Sequence, residues 1–119
     1  VYHAVTDALL GALGEEDIGQ LFPDDAPEWD GEDSAFFLRE AARRVTRAGF
    51  EIGNLDVTII CQKPKIGPHK DAMRQNLAKT LETSKDDVNV KAKTHEEVDA
   101  VGEGRAVEVH AIVLLFPKA

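Results

Sequence analysis

Lys91, Lys93, Thr94, His95 and Glu96 bring two ammonium groups, a hydroxyl, an imidazole and a carboxylate into six residues. They appear where the apolar alternation Val88, Val90, Ala92 stops. Lys63 and Lys65, spaced by Pro64, form a second basic loop after the alternating run Leu55–Gln62. Together such groups suit a phosphorylated ligand bridged by a divalent cation. Ammonium groups neutralise phosphate, Thr94 donates a hydrogen bond, and Glu96 offers a hard oxygen to Mg²⁺ or Mn²⁺. The alternative is a solvated loop after an edge strand. No Ser-His-Asp, paired-carboxylate or Walker-type pattern is present.

The elements around these loops decide whether the groups can meet. Tyr2, Val5, Leu9, Ala12 and Leu13 recur at helical spacing, which predicts a helix from residue 1 to about 13, with Gly14 as its stop. His3 and Asp7 share a face of it, either as a carboxylate holding an imidazole or as a surface pair. Residues 17–27, rich in Asp with two prolines, read as a long irregular loop that Leu21 and Phe22 pack down. Ser34 is the expected N-cap of a second helix burying Leu38, Ala41, Val45 and Ala48 and ended by Gly49. Its Arg39, Arg43, Arg44 and Arg47 read as a solvated face rather than an anion site.

A strand over 55–62, a helix from about Pro68 to Leu81 carrying Met73, Leu77 and Leu81 inward, and a strand over 88–93 follow. Strand, helix, strand implies a parallel pair, so both basic loops leave the same sheet edge. Lys63, Lys65, Lys93, Thr94 and Glu96 can therefore converge. Ala106 to Phe116 is the last strand, returning antiparallel, with Val107, Val109, Ala111, Val113 and Leu115 on one face. The expected fold is α+β: a mixed sheet with helices on one face. The other face, mixing Asp56, Thr58 and His110 with Ile60 and Ile112, suggests burial against another subunit. His69 and His110 read as structural.

The 119 residues suit one domain, and a net charge of −8 disfavours nucleic acid and anionic membrane as partners. A single cysteine, Cys61, excludes an internal disulfide and fits a reducing compartment. No apolar run is long enough for a membrane helix. The chain opens at Val1 in what reads as helix interior, so a preceding segment is expected.

Several motifs point to one family. They are His3 to Ala12, Asp17 to Asp24 (Asp-Ile-Gly-Gln-Leu-Phe-Pro-Asp), Gly53 to Thr58, Lys63-Pro64-Lys65 through Pro68-His69, and Val88 to Thr94. In that order they resemble the 2-C-methyl-D-erythritol 2,4-cyclodiphosphate synthase family across essentially the whole chain. The resemblance implies a homotrimer with active sites between subunits. It also implies an enzyme cyclising a diphosphocytidyl substrate with release of CMP. Thr94 matches the residue that stabilises the transition state. His3 matches a zinc ligand, and Glu96 the ligand of magnesium or manganese. Asp17, Ile18, Gly19, Phe22, Pro23 and Asp24 match the loop against the erythritol and phosphate part of the substrate. Cys61, Gln62, Lys63, Pro64, Lys65, Ile66 and Gly67 match the cytidine loop; Lys93, Thr94 and His95 match further substrate contacts.

The family's remaining zinc ligands, an Asp-x-His, and a His-Ser-Asp-Gly-Asp segment are expected before Val1, together with an N-terminal strand. Departures from the pattern are Ala26 for Asp, Lys93 for Thr, and Glu103 for a phosphate-binding Arg, with Arg105 as its expected substitute. The run from Lys93 to Asp99 is similar to plastid members and some bacterial ones, which implies a bacterial cytoplasm or, alternatively, a plastid stroma. The competing functions are a cytidine-nucleotide-binding module without turnover and a purely structural trimerisation domain.

Overall fold

The computed structural model describes residues 1–16, 34–61, 67–93 and 107–118. Helical spacing puts Val5, Leu9 and Leu10 on one stripe of α1, Tyr2–Ala12, and all three are fully buried. Thr6 is buried with them; its hydroxyl donates to the Tyr2 carbonyl at 2.7 Å, which offsets the cost of sinking a polar group. Gly14 then takes φ +73°. Its N–H donates to the Gly11 carbonyl at 3.0 Å, and that of Glu15 to Leu10 at 2.9 Å. This pair of bonds is a Schellman closure, and it needs a residue without a side chain at the left-handed position.

Helix α2, Ser34–Arg47, buries Leu38, Ala41 and Val45. Two expectations change here. Ser34 lies within the helix rather than capping it, and Ala48 falls beyond the last turn, where it is exposed. Gly49, at φ +88°, turns the chain into β1, Phe50–Ile60.

The strand begins at Phe50, not at Leu55, and the reason is local. Between Ile52 and Asn54 the pairing with the last strand slips, leaving Gly53 as an extra residue. Upstream of it Phe50 and Ile52 pack on the core; downstream Leu55, Val57 and Ile59 are buried in it. Period-two alternation counted from Leu55 therefore fails at Gly53. A Cβ there would run into the Phe116 ring, so the close approach needs glycine.

A 3₁₀ turn, Gly67–His69, takes the place of the expected first helical turn from Pro68, and α3 spans Lys70–Leu81. Leu77 and Leu81 are buried and Met73 packs at the margin of the core. A second 3₁₀ turn, Lys85–Asp87, is capped by the Ser84 hydroxyl, which accepts the Asp86 N–H at 3.2 Å. It delivers the chain into β2, Val88–Lys93. Arg74 of α3 ties this entry down: Nε donates to the Val88 carbonyl at 2.9 Å and Nη2 to that of Lys85 at 3.0 Å.

The described strands form a mixed sheet in the order β2-β1-β3. β1 and β2 run parallel, from Leu55 opposite Val88 to Ile60 opposite Lys93. β3, Glu108–Pro117, runs antiparallel to β1, from Phe50 opposite Pro117 to Ile60 opposite Glu108. Val109, Ala111, Val113 and Leu115 lie against the core with the three helices. Val107, expected on that face, precedes the strand and is exposed. The opposite sheet face is uncovered. Its rows read Asn89-Asp56-Ile112, Lys91-Thr58-His110 and Lys93-Ile60-Glu108, as the alternation predicts. Ile112 is 71% exposed, Leu114 48% and Phe116 49%.

Candidate functional site

Parallel pairing makes β1 and β2 end together. The Cys61 N–H donates to the Lys93 carbonyl at 3.0 Å, one rung beyond the last paired residues, so the ladder holds up to the point where both loops depart. β3 starts at the same end, because Glu108 stands opposite Ile60. Segments 62–66 and 94–106 are thus rooted at one end of the sheet, the convergence that the strand–helix–strand order implies.

Of the residues singled out from sequence, Cys61 and Lys93 are brought together here. Cys61 is buried, 4% exposed, so it forms a wall rather than presenting its thiol. Lys93 is exposed at the end of β2. Gly67 is exposed at the opening of the turn before α3. His3 is exposed on α1, where its ring meets Phe37 edge-on, with centroids 6.3 Å apart. Asp17, Ile18, Gly19, Phe22, Pro23, Asp24, Gln62, Lys63, Pro64, Lys65, Ile66, Thr94, His95, Glu96 and Arg105 lie outside the described residues, as do Ala26 and Glu103.

Lys91 separates from Lys93 in the structure. Its ammonium lies 2.8 Å from the Asp56 carboxylate across the strand pair, and Asn89 donates to the same carboxylate at 3.2 Å. The hydrogen bond from Lys91 holds the Asp56 carboxyl below its usual range; desolvation opposes this and Asn89 adds to it. Lys91 therefore fixes the sheet rather than serving the loops. A depressed carboxyl contributes stability that is full above its ordinary value of 3.8 and is lost as pH falls through its folded value. Asp56→Asn should therefore be less stable than the parent near neutrality, with the difference shrinking in acid. Urea titrations of both proteins from pH 7 down to about 3 would check this; a pH-independent gap would contradict it.

The α2 arginines behave as an ion-paired surface. Glu40 accepts from Arg43 Nη2 at 2.6 Å and from Arg44 Nε at 3.2 Å, and Arg44 Nη1 reaches Glu15 at 2.9 Å. Burial pushes the Glu40 carboxyl up, but the two guanidinium groups outweigh it and hold it below the ordinary range. The Arg44 guanidinium is raised, chiefly by the hydrogen bond to Glu15, with burial opposing. A cleft of about 980 Å³ at the start of β1 is lined by Arg39, Arg43, Arg47 and Lys118 together with Glu51, Glu82 and Asp87, and Arg43 is already paired with Glu40. His110 pairs with Glu108 at 2.6 Å on the open sheet face, in keeping with a structural role.

Zinc needs roughly three or four protein donors. Among the described residues no group of three or more His, Cys, Asp or Glu stands together, so His3 alone does not make a metal centre and would need partners from elsewhere. No described helix is long and apolar enough to cross a membrane. Sequence reasoning missed the Arg44–Glu15 pair and the Arg74 contacts, because those partners lie 29 and 11 to 14 residues away and no local spacing announces them.

The fold and this sheet end define an α+β domain whose mixed sheet gathers its polar loops at one edge. A family model described as the YgbB family matches residues 1–116. The chain belongs to that family. It is 54% identical over 116 residues to the chloroplastic 2-C-methyl-D-erythritol 2,4-cyclodiphosphate synthase of Arabidopsis thaliana, covering 98% of this chain and 50% of that one. The synthase of Pectobacterium atrosepticum is 53% identical over 118 residues, covering 99% of this chain and 72% of that one. IspF of Plasmodium falciparum, solved as a CDP complex, superposes with a TM-score of 0.89 at 39% identity, covering 99% of this chain and 70% of that one. The chain spans about half the length of the plant relatives it matches.

Proposed function

We propose that the full-length protein containing this chain is a phosphorus-oxygen lyase. It converts 4-diphosphocytidyl-2-C-methyl-D-erythritol 2-phosphate to 2-C-methyl-D-erythritol 2,4-cyclodiphosphate and CMP. The observation that carries this is the family match across residues 1–116. The common root of the β1 and β2 loops, held by the Cys61–Lys93 bond, supports it.

The chemistry asks little of a general base. An ionised oxygen of the 2-phosphate attacks the β-phosphorus of the same molecule, a new P–O bond forms, and the bond to the α-phosphate oxygen breaks to release CMP. The protein's work is to hold the two phosphates in line and to neutralise charge as it shifts. Segment 61–67 takes the cytidine, Asp17 to Gly19 with Phe22 to Asp24 take the erythritol end, and Lys93, Thr94, His95 and Arg105 surround the phosphates. Thr94 donates to the phosphate where charge develops. His3 is one ligand of zinc and Glu96 of magnesium or manganese. Bound cations would offset phosphate charge, which makes a basic surface unnecessary in a chain of net charge −8.

The uncovered sheet face supports a homotrimer with the active sites between subunits. A row of Ile112, Leu114 and Phe116 this exposed suits subunit contact better than water. Ile112→Asp should leave the monomer folded, since the side chain is mostly in solvent, but shift the mass measured by light scattering from trimer towards monomer. A monomeric parent protein would refute the assembly. A bacterial cytoplasm is the compartment proposed, with a plastid stroma as the alternative.

The deciding experiment incubates full-length protein with the diphosphocytidyl substrate, with and without divalent metal, and follows CMP. Metal-dependent CMP release is expected. Absence of release from metal-loaded protein would sink the proposal, and CMP binding without turnover would leave a nucleotide-binding module instead.

A further inference from the structure

The open sheet face carries two carboxylates among its paired rows, and both are engaged. Asp56 holds the Lys91 ammonium at 2.8 Å and accepts from Asn89, and Glu108 meets His110 Nε2 at 2.6 Å. Lys93 stands in the last row of that face, beside Ile60 on β1 and with Glu108 beyond it on β3. Its side chain is exposed, and among the described residues no carboxylate holds its ammonium. Its main chain is the opposite: Lys93 pairs with Ile60, and its carbonyl accepts the N–H of the buried Cys61 at 3.0 Å. A free cation on a fixed backbone, at the point from which both basic loops depart, is a group available to an anion brought from outside the protein. Lysine suits that task as a compact charge with three donors on a flexible stem.

We infer that Lys93 is a specificity-determining residue that reads the β-phosphate of the cytidine ligand, the phosphate that distinguishes the substrate from released CMP. The inference rests on the reaction proposed above and deepens it. There the segment 61–67, which follows β1, takes the cytidine. β2 lies one strand spacing to the side, about 4.8 Å, and the lysine stem adds to that reach. Its ammonium therefore meets the phosphate farther from the base. The substrate presents two phosphates on its cytidine, and cleavage leaves CMP with one. A cation spent on the β-phosphate favours the substrate and has no hold on CMP, whereas one placed on the α-phosphate would bind both alike and retain the product.

Calorimetry with CDP and CMP on full-length protein, at a fixed concentration of divalent metal, tests this. The parent should bind CDP more tightly than CMP. Lys93→Thr and Lys93→Met should each weaken CDP about fivefold, the scale of one partly exposed charge contact, and leave CMP within a factor of about two. Lys93→Arg keeps the charge and should restore most of the CDP affinity. Added salt should weaken CDP more in the parent than in Lys93→Thr, where the screened attraction is already gone. The side chain is exposed at a strand end, so the melting temperatures of all three variants should match the parent's. Equal loss of CDP and CMP, or loss of neither, would overturn the inference; with metal-dependent CMP release by the parent, the reaction would still stand. A parent that binds neither nucleotide and releases no CMP would overturn both.

Discussion

Replacing Thr94 by Ala in the full-length protein is expected to lower kcat about 100-fold while KM changes little, the signature of an interaction made chiefly in the transition state. The expectation follows from where the ladder stops. Thr94 is the residue after Lys93, and the Lys93 carbonyl is fixed by the Cys61 N–H at 3.0 Å. The residue before Thr94 is thus held by the sheet, and the proposed role of Thr94 as a donor to developing charge calls for a fixed anchor of that kind. Thr94→Ser keeps the donor and should recover most of the rate, whereas Thr94→Val keeps the shape and should not. Steady-state kinetics on the three variants gives the result. A Val variant as fast as the parent would remove Thr94 from the reaction.

Leu55→Ala should cost about 2–5 kcal/mol of stability. Leu55 is 1% exposed and sits in the central strand, with Val88 opposite it on β2 and Val113 opposite it on β3. Its core cluster draws residues from all three helices, and neighbours tied into ladders on both sides cannot readily collapse into the space left by the missing carbons. A domain of this kind has only about 5–15 kcal/mol in total, so the loss is a large share. Urea unfolding should show a lower midpoint at unchanged slope. A midpoint equal to the parent's would mean that the site repacks.

Much of this architecture is written in local patterns. The strand–helix–strand order implied the parallel pair, and the pair implied the shared root of the two basic loops; both are present. The alternation of β3 from Val109 onward identified its core side, and the apolar periodicity of α1 found Val5 and Leu9 but left out the buried Thr6 and Leu10 and included the exposed Ala12. Local pattern failed where distant chain decides. Lys91 stands in the same basic cluster as Lys93, and only the register against β1 shows that Asp56 takes it. Arg44 reads as one of four solvated arginines until Glu15 is placed beside it. Phe50 and Ile52 were not legible as strand because Gly53 breaks the alternation and the partner that keeps the pairing, β3, lies far along the chain. The fine structure of the substrate loops has no such pattern to read: sequence names their residues through family likeness, and it says nothing of their geometry.

The extra residue at Gly53 makes β1 two half-strands of opposite phase joined end to end. Flattening it into an uninterrupted pleat of the same length would be harmful. With Leu55, Val57 and Ile59 kept inward, Gly53 and Glu51 would face the core while Phe50 and Ile52 turned out to the open face. Holding the upstream half instead would turn the three buried residues outward and upset the pairing with β2 on which the loop root depends. Deleting Gly53 is a different matter: Ile52 would then stand two places before Leu55, and both halves would share one phase. At the present chain length the slip alone keeps the start of the sheet in step with the end that carries the loops.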